Sequence, residues 1–473
     1  MRASIDRRPD KGESLALRFV PRDQRAKLQP AISEAEFSGK TNSLLHLRES
    51  GVLLVGLGER AAINVRTFRN AAGAAAMFAR KVGRRRLTLE LEVWPQFVGA
   101  AIEGVVRADY RFEQFKKSKS VGLESVRVAV LPEDESLAKK ALQRAVTIAE
   151  GVRICREIGN QPGNLLYPEI LAKKARELAL THGLKATVLD EKQLRAQKFG
   201  GILAVGAGSI RPPRLIILEH RKGPKTQAPL VLVGKAVTFD SGGISLKQAA
   251  GMEHLIYDKC GGMAVLGAMV AIAKLGLKQN VVGIIPSAEN LPSASSYRPG
   301  DVVTAYDGTH IEIINTDAEG RIILADAIAF ARRKLRPSAI IDAATLTGAC
   351  GVALGEYAAG LWSNDEALLQ NLQAASDRAG ERLWPMPSFT EYDDQIRSDV
   401  AQLKNTGGRL GGACTGAAFL KAFAGEVPWA HLDIACVAHR EKDQAFMSRG
   451  ATGFGVETLV ELVESWGVRP RTS

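Results

Sequence analysis

The chain has 473 residues, too many for one hydrophobic core, and suggests roughly two to three domains. Its 46% hydrophobic and 24% charged content is that of a soluble globular protein, and no apolar run is expected to reach the length of a membrane span. The net charge of +12 is uneven: residues 1–150 hold 27 Lys/Arg against 18 Asp/Glu, and the remainder holds 36 against 33.

The basic excess is densest at Arg80-Lys81-Val82-Gly83-Arg84-Arg85-Arg86. A basic face can bind nucleic acid. Without interleaved aromatics or a helix-turn-helix or zinc-finger pattern, a solvated surface is the simpler reading. Arg2, Arg7 and Arg8 are followed by no apolar run, so a secretory signal is not expected. Cys155, Cys260, Cys350, Cys414 and Cys436 are odd in number and widely spaced, with no C-x-x-C pair. That argues against a disulfide framework and a thiolate zinc site, and fits a reducing cytoplasm.

In chain order, residues 1–42 are polar and mixed, with weak periodicity. Residues 51–58 read as a buried strand, 65–79 as a helix, 87–93 as a strand, 100–112 as a helix and 126–131 as a strand. They predict an N-terminal α/β domain at 43–135, with 1–42 left outside it. Residues 136–158 are apolar at helical spacing and predict a linker helix. The rest, 159–473, reads as a larger C-terminal α/β domain. A helix opens at Pro168. Strands are expected at 187–189, 215–219, 230–233, 281–286 and 339–343, and helices at 258–275, 324–335 and 368–378. Apolar strands separated by helices imply a central, mostly parallel sheet covered on both faces. Ligands bind beyond the C-terminal ends of such strands.

Two polar clusters fall at strand ends. One is Asn315-Thr316-Asp317-Ala318-Glu319-Gly320-Arg321, after a strand-like run at 310–314. On an extended backbone Asp317 and Glu319 point the same way and can aim at one spot. Two like charges held that close need a counter-charge, and a metal ion supplies one. Alone, the stretch reads equally well as a polar turn whose Asp caps the next helix. The other cluster holds Lys235, Asp240 and Lys247, and Asp258 follows at a helix start. Four carboxylates and two lysines near strand ends favour a site for one or two divalent cations such as Zn, Mn or Mg. Two such ions would sit roughly 3.5–4 Å apart and activate a shared water.

The chain resembles the leucyl aminopeptidase (cytosol aminopeptidase) family. The stretch 315–321 matches its signature, and Val233-Gly234-Lys235, Thr238-Phe239-Asp240-Ser241-Gly242-Gly243 and Ser245-Leu246-Lys247 match its other metal segment. Further matches are Ala344-Thr345-Leu346-Thr347-Gly348-Ala349 and Trp429-Ala430-His431-Leu432-Asp433. The resemblance runs from about residue 150 to the end, is weaker over 45–120, and is not detected in 1–42. It implies a macro-domain-like N-terminal domain and a catalytic metallopeptidase domain that releases N-terminal residues such as Leu. It implies two metals held by Lys235, Asp240, Asp258, Asp317 and Glu319, with Lys235 ligating as a neutral amine. Lys247 would stabilise an oxyanion, and Arg321 would hold a bicarbonate acting as general base. The first substrate residue would lie against Leu255, Thr345, Leu346, Thr347 and Gly348. A cytoplasmic homohexamer is also implied, and DNA binding by some bacterial members keeps the basic N-terminal domain as an alternative. Leu255 stands where the family commonly has Met, which keeps the pocket apolar. Lys259, where Met is frequent, is expected to point to solvent.

Overall fold

The computed structural model describes residues 1–6, 14–28 and 31–467. The remaining parts of the segments 1–42 and 159–473 lie outside the described residues. The chain divides into two compact units, one of Met1–Arg153 with Arg440–Gly450, the other of Ile154–His439 with the chain from Ala451.

The first unit is a six-stranded sheet built from β1 (Arg2–Asp6), β2 (Leu15–Pro21), β3 (Leu44–Leu47), β4 (Val52–Gly58), β5 (Arg86–Glu90) and β6 (Ser125–Ala129). Its order is β1-β6-β5-β2-β4-β3, parallel except for β3 on β4. The helices α1 (Val65–Lys81) and α2 (Val98–Asp109) belong to it, and Phe68, Leu17, Leu53, Leu87 and Val128 are buried in one core. The segment 1–42, expected to stand outside this domain, supplies two of its strands. In β2, Leu15, Leu17 and Phe19 are buried while Arg18 is exposed, a period-2 signal diluted by neighbouring Arg and Pro. Residues 440–450, read as part of the C-terminal domain, group with this unit. There the Ser448 hydroxyl donates to the Tyr110 carbonyl at 2.9 Å. The basic cluster is largely engaged by the protein itself. Arg80 donates to the Asp109 carbonyl at 2.7 Å, Arg85 to the Gly122 carbonyl at 3.3 Å, and Arg86 pairs with Glu124 at 3.2 Å.

The helix α3 (Glu135–Gly159) leads into the second unit. That unit begins with α4 (Pro168–His182), β7 (Lys185–Leu189), α5 (Glu191–Ala196), α6 (Gly200–Gly206), β8 (Arg214–Arg221), β9 (Leu230–Gly234) and β10 (Ala236–Asp240). A 3-10 turn at Met252–Lys259 runs into α7 (Cys260–Leu275), followed by β11 (Asn280–Asn290), β12 (Val302–Thr304), β13 (His310–Glu312) and α8 (Gly320–Phe330). Then come β14 (Ala339–Ala344), α9 (Gly348–Leu354), β15 (Ala359–Ser363), β16 (Leu383–Pro385), β17 (Leu403–Lys404) and β18 (Trp429–Asp433). The large sheet has the order β16-β15-β18-β14-β9-β11-β8-β7, with β10 also on β11. Its middle strands β18, β14, β9 and β11 are parallel. Antiparallel pairs flank them, β15 on β18, β8 on β11 and β7 on β8, so the sheet is mixed around a parallel centre.

The strands β9 and β14 are buried throughout, because helices cover both faces of the sheet. The stretch Met252–Leu275 is long and apolar enough by composition to cross a membrane, an exception to the expectation that no run is. It is a core helix instead, with 83% of its apolar window buried. Its first turn lies so close to the sheet that a Cβ on Gly261 would stand 2.1 Å from the Ala343 carbonyl oxygen. Glycine there lets α7 start against the end of β14, next to the site residues.

Asp326, on α8, ties three segments together. Its carboxylate accepts the Ile202 N–H at 2.9 Å and the Tyr306 N–H at 2.7 Å. Burial outweighs these donors and pushes its carboxyl up to about 7. A raised carboxyl binds a proton in the folded chain that the unfolded chain has released. Stability should therefore fall as pH rises from about 4 to about 7 and level off above. Asp326→Asn should flatten that slope, and it should cost about 1–3 kcal/mol at low pH, because its amide cannot accept both N–H groups. Urea unfolding across this pH range checks both outcomes.

Candidate active site

Four strand ends converge on one cavity of about 310 Å³. Lys235 follows β9 directly, Asp240 ends β10, Thr345 follows β14, and Ala435 follows β18 by two residues. Lys247, Leu255, Asp258, Asp317, Glu319, Leu346, Thr347 and Gly348 line it too.

Lys235 is buried, and its ammonium meets Asp258 Oδ1, Glu319 Oε1 and the Thr345 carbonyl, each at 2.8 Å. Three acceptors use its three donors. Lys247 stands at the more open side, 2.9 Å from Asp240 Oδ2 and in contact with Asp317. Burial works against both lysine charges, the surrounding carboxylates overcome it, and both ammonium groups are held above their ordinary value. Burial pushes the carboxyls of Asp240, Asp258 and Asp317 up, and the lysines oppose it.

The paired carboxylates do not sit on an extended strand. Asp317 lies in a turn, and Glu319 has φ −75° and ψ −36°, as the residue before α8. The turn still brings them together: Asp240, Asp317 and Glu319 each offer an oxygen within 4.8 Å of the others. Neither caps α8, whose N-terminus has no side-chain cap. Gly320 makes room for Lys235, since a Cβ there would lie 2.5 Å from the lysine Nζ.

Neutral groups fix the two motif segments to each other. The Thr316 hydroxyl donates to the Gly242 carbonyl at 2.6 Å and accepts the Ser245 N–H at 2.8 Å. Asn290 donates from Nδ2 to Asp240 Oδ1 at 2.9 Å and to the Thr316 carbonyl at 3.0 Å. Tyr297 donates to that same carbonyl at 2.9 Å. Asn290 and Tyr297 lie outside the matched stretches and carry no sequence signal of this role. On the opposite wall, the buried Asp433 carboxylate accepts the Thr347 hydroxyl at 2.6 Å and the Leu346 N–H at 3.2 Å. The Thr345 hydroxyl donates to Asp258 Oδ1 at 2.8 Å.

One expectation changes, and one residue takes a place the sequence did not specify. Lys259 does not reach solvent: it is fully buried, and its ammonium donates to the backbone carbonyls of Gln161, at 3.0 Å, and Ile256. Burial lowers it to about 8. Arg321 does not line the cavity but lies buried behind it, donating to the Asn405 carbonyl at 3.0 Å. Burial lowers it to about 10 despite Glu319, and its Nε has no acceptor. Sequence reasoning also missed a ring wall. His254 and Tyr257 face the cavity from the turn that presents Leu255 and Asp258, and His439 stacks on Tyr257 with centroids 4.7 Å apart.

With all groups ionised, four carboxylates exceed two ammonium groups by two negative charges. Hard oxygen donors in that excess, with Asp258 Oδ2 buried and unpartnered, fit a divalent cation.

Residues 153–460 match the model of the cytosol aminopeptidase family, catalytic domain, and residues 9–119 match the N-terminal domain of the same family. The chain is 44% identical over 448 residues to a probable cytosol aminopeptidase of Geotalea uraniireducens (strain Rf4), covering 92% of this chain and 90% of that one. It is 45% identical over 455 residues to a probable cytosol aminopeptidase of Syntrophotalea carbinolica, covering 92% and 91%. Among solved structures, a tomato leucine aminopeptidase mutant superposes with a TM-score of 0.88 at 33% identity, covering 98% and 96%. The bottromycin maturation enzyme BotP in complex with Mn does so with 0.85 at 34% identity, covering 98% and 99%.

Removing the Lys235 charge leaves Asp258 and Glu319 buried without it. Lys235→Met should destabilise the metal-free protein by about 3–5 kcal/mol. Urea unfolding in chelator measures the difference; an unchanged midpoint would show that neighbouring groups compensate.

Proposed function

The chain belongs to the cytosol aminopeptidase family and is a peptidase of the hydrolase class, and on that premise we propose that it releases hydrophobic N-terminal residues, such as Leu, at a dinuclear metal site. The observation that carries this reading is the convergence of Lys235, Asp240, Lys247, Asp258, Asp317 and Glu319 on one cavity. The Mn complex of BotP supports the choice of metal class, and Mn or Zn suits the donor set.

Asp240, Asp258, Asp317, Glu319 and the Lys235 amine would hold the ions. Bound there, divalent cations supply a polarised carbonyl and a water of lowered pKa. Lys235 meets them as a base only after losing the proton it now shares with Asp258 and Glu319. Lys247 keeps its charge and stands where a developing oxyanion can accept from it. Arg321, a buried cation with Nε short of an acceptor, would hold a small anion such as bicarbonate.

The substrate reading follows from the cavity walls. The ion held by Asp258 and the Lys235 amine suits a free α-amine, which binds there once it has lost its proton. Leu255, Gly348, Ala435 and the rings of Tyr257 and His439 offer the first side chain an apolar and aromatic surface. The cytoplasmic homohexamer rests on family resemblance alone.

Leucine anilide should be hydrolysed in the presence of Mn or Zn, and a chelator should abolish turnover until metal is restored. Lys247→Ala should lower kcat about 10²–10³-fold. N-acetyl-leucine anilide, which has no free amine, should not turn over. Equal hydrolysis of the blocked substrate, or normal turnover in Asp317→Ala, would overturn the reading.

A further inference from the structure

Beside the cavity, and outside its lining, two cysteines meet. Cys350 lies in the first turn of α9, where its N–H donates to the Thr347 hydroxyl at 3.1 Å. Its Sγ lies 3.7 Å from the Asp433 carbonyl oxygen. A Cβ on Gly360 would stand 3.1 Å from that sulfur, which seats the thiol against β15. Cys436 follows β18, and its Sγ donates to the Ala358 carbonyl at 3.1 Å. A Cβ on Gly351 would lie 3.5 Å from the Cys436 Cβ, so the first turn of α9 comes close to the second cysteine as well. Gly360 and Asp433 are paired across β15 and β18, so both sulfurs rest on the end of one ladder. The Asp433 and Ala358 carbonyls that the two sulfurs approach flank the same pair of strands.

We propose that Cys350 and Cys436 form a two-electron oxidation site, closing to a disulfide when the protein meets a peroxide or a small-molecule disulfide. Cys436 is partly exposed and Cys350 is buried, so Cys436 is the sulfur an oxidant reaches first. With peroxide, the Cys436 thiolate attacks one oxygen, the O–O bond breaks, and a sulfenic acid and one water result. The Cys350 sulfur then attacks the Cys436 sulfur, the S–O bond breaks, and a second water leaves. The net change is two thiols and one peroxide to one disulfide and two waters. The two electrons pass from sulfur to oxygen. With a small disulfide the same two attacks release two small thiols instead. The neighbouring Cys436, followed by burial, holds the Cys350 thiol well above its ordinary range.

The bond would tie two walls of the cavity. Gly348 stands two residues before Cys350, and Ala435 directly before Cys436, and both line the cavity. A disulfide tolerates only a narrow range of separations, so closing it would fix one wall against the other. The effect on turnover rests on the peptidase reading; the bond itself does not.

The test uses the full chain. It is treated with hydrogen peroxide or oxidised glutathione, alkylated, digested without reductant and mapped by mass spectrometry. The expected result is one linked peptide joining positions 350 and 436, lighter than the two free peptides by about two mass units and split by dithiothreitol. Turnover of leucine anilide should fall about tenfold with the bond and return with its reduction. Cys436→Ser should lose both the linked peptide and the sensitivity. Cys350→Ser should lose the linked peptide and leave Cys436 oxidised singly. Recovery of both thiols in alkylated form from oxidised wild type would overturn the site, as would a linked peptide in which either cysteine pairs elsewhere. Absence of turnover in the reduced protein would count against the peptidase reading alone, because the peptide map still judges the thiols.

Discussion

Four carboxylates drawn out of water into one place repel each other, and each loses solvation. That constraint shapes the second unit around its cavity. Lys235 and Lys247 meet it directly, each bridging two carboxylates from different segments. The backbone is arranged to let them. Lys235 leaves β9 beside α8, whose first residue is glycine because its own side chain would collide with the lysine. The helix α7 begins with glycines that allow it to lie on the ends of the parallel strands. The parallel centre of the sheet brings the ends of β9, β14 and β18 to one side, so residues 110 to 200 positions apart reach the same few ångströms.

Charge alone would not hold these groups in register. Salt bridges at such density have little directional preference, and a metal site needs its donors aimed. The aiming is done by neutral atoms. Thr316 bonds to both ends of the 242–245 turn, and Asn290 holds Asp240 with one hand of its amide while also bonding to Thr316. Across the cavity, Asp433 fixes the loop that carries Thr345, and Thr345 in turn bonds to Asp258. Thr316, Asn290 and Asp433 are buried, so a bond lost at any of them would strand a partner without water to replace it.

Much of the site was legible because chemistry repeats along short stretches. Lys235, Asp240, Lys247, Asp258, Asp317 and Glu319 lie in stretches whose composition already calls for a counter-charge, and the structure brings all six together. What was not legible depends on tertiary packing. An extended backbone would bring Asp317 and Glu319 into agreement, yet it is a turn that produces it. Lys259 reads as a surface charge, because nothing local announces two carbonyls waiting in the interior. Asn290, Tyr297 and His439 come from distant segments, and each acts only through what the fold sets beside it. In the first unit, β2 was obscured because its alternation is short and flanked by charge. The strand cores elsewhere were clear, since both faces are buried and the apolar runs are unbroken.

The same cluster, once two dications offset its charge, explains why the cavity would act at a chain end. An internal peptide bond brings no basic nitrogen to an ion held beside Asp258. A free N-terminus brings an amine, which can serve as a ligand there once it has lost its proton. The cation at the opposite side, Lys247, is tied to Asp240 and Asp317, and is the more exposed of the two lysines. A substrate entering with its amine toward Asp258 would therefore meet Lys247 with its carbonyl. Orientation would then follow from where the amine and the carbonyl are held, before any side chain is recognised, and the ring wall would have only to choose among residues already aligned.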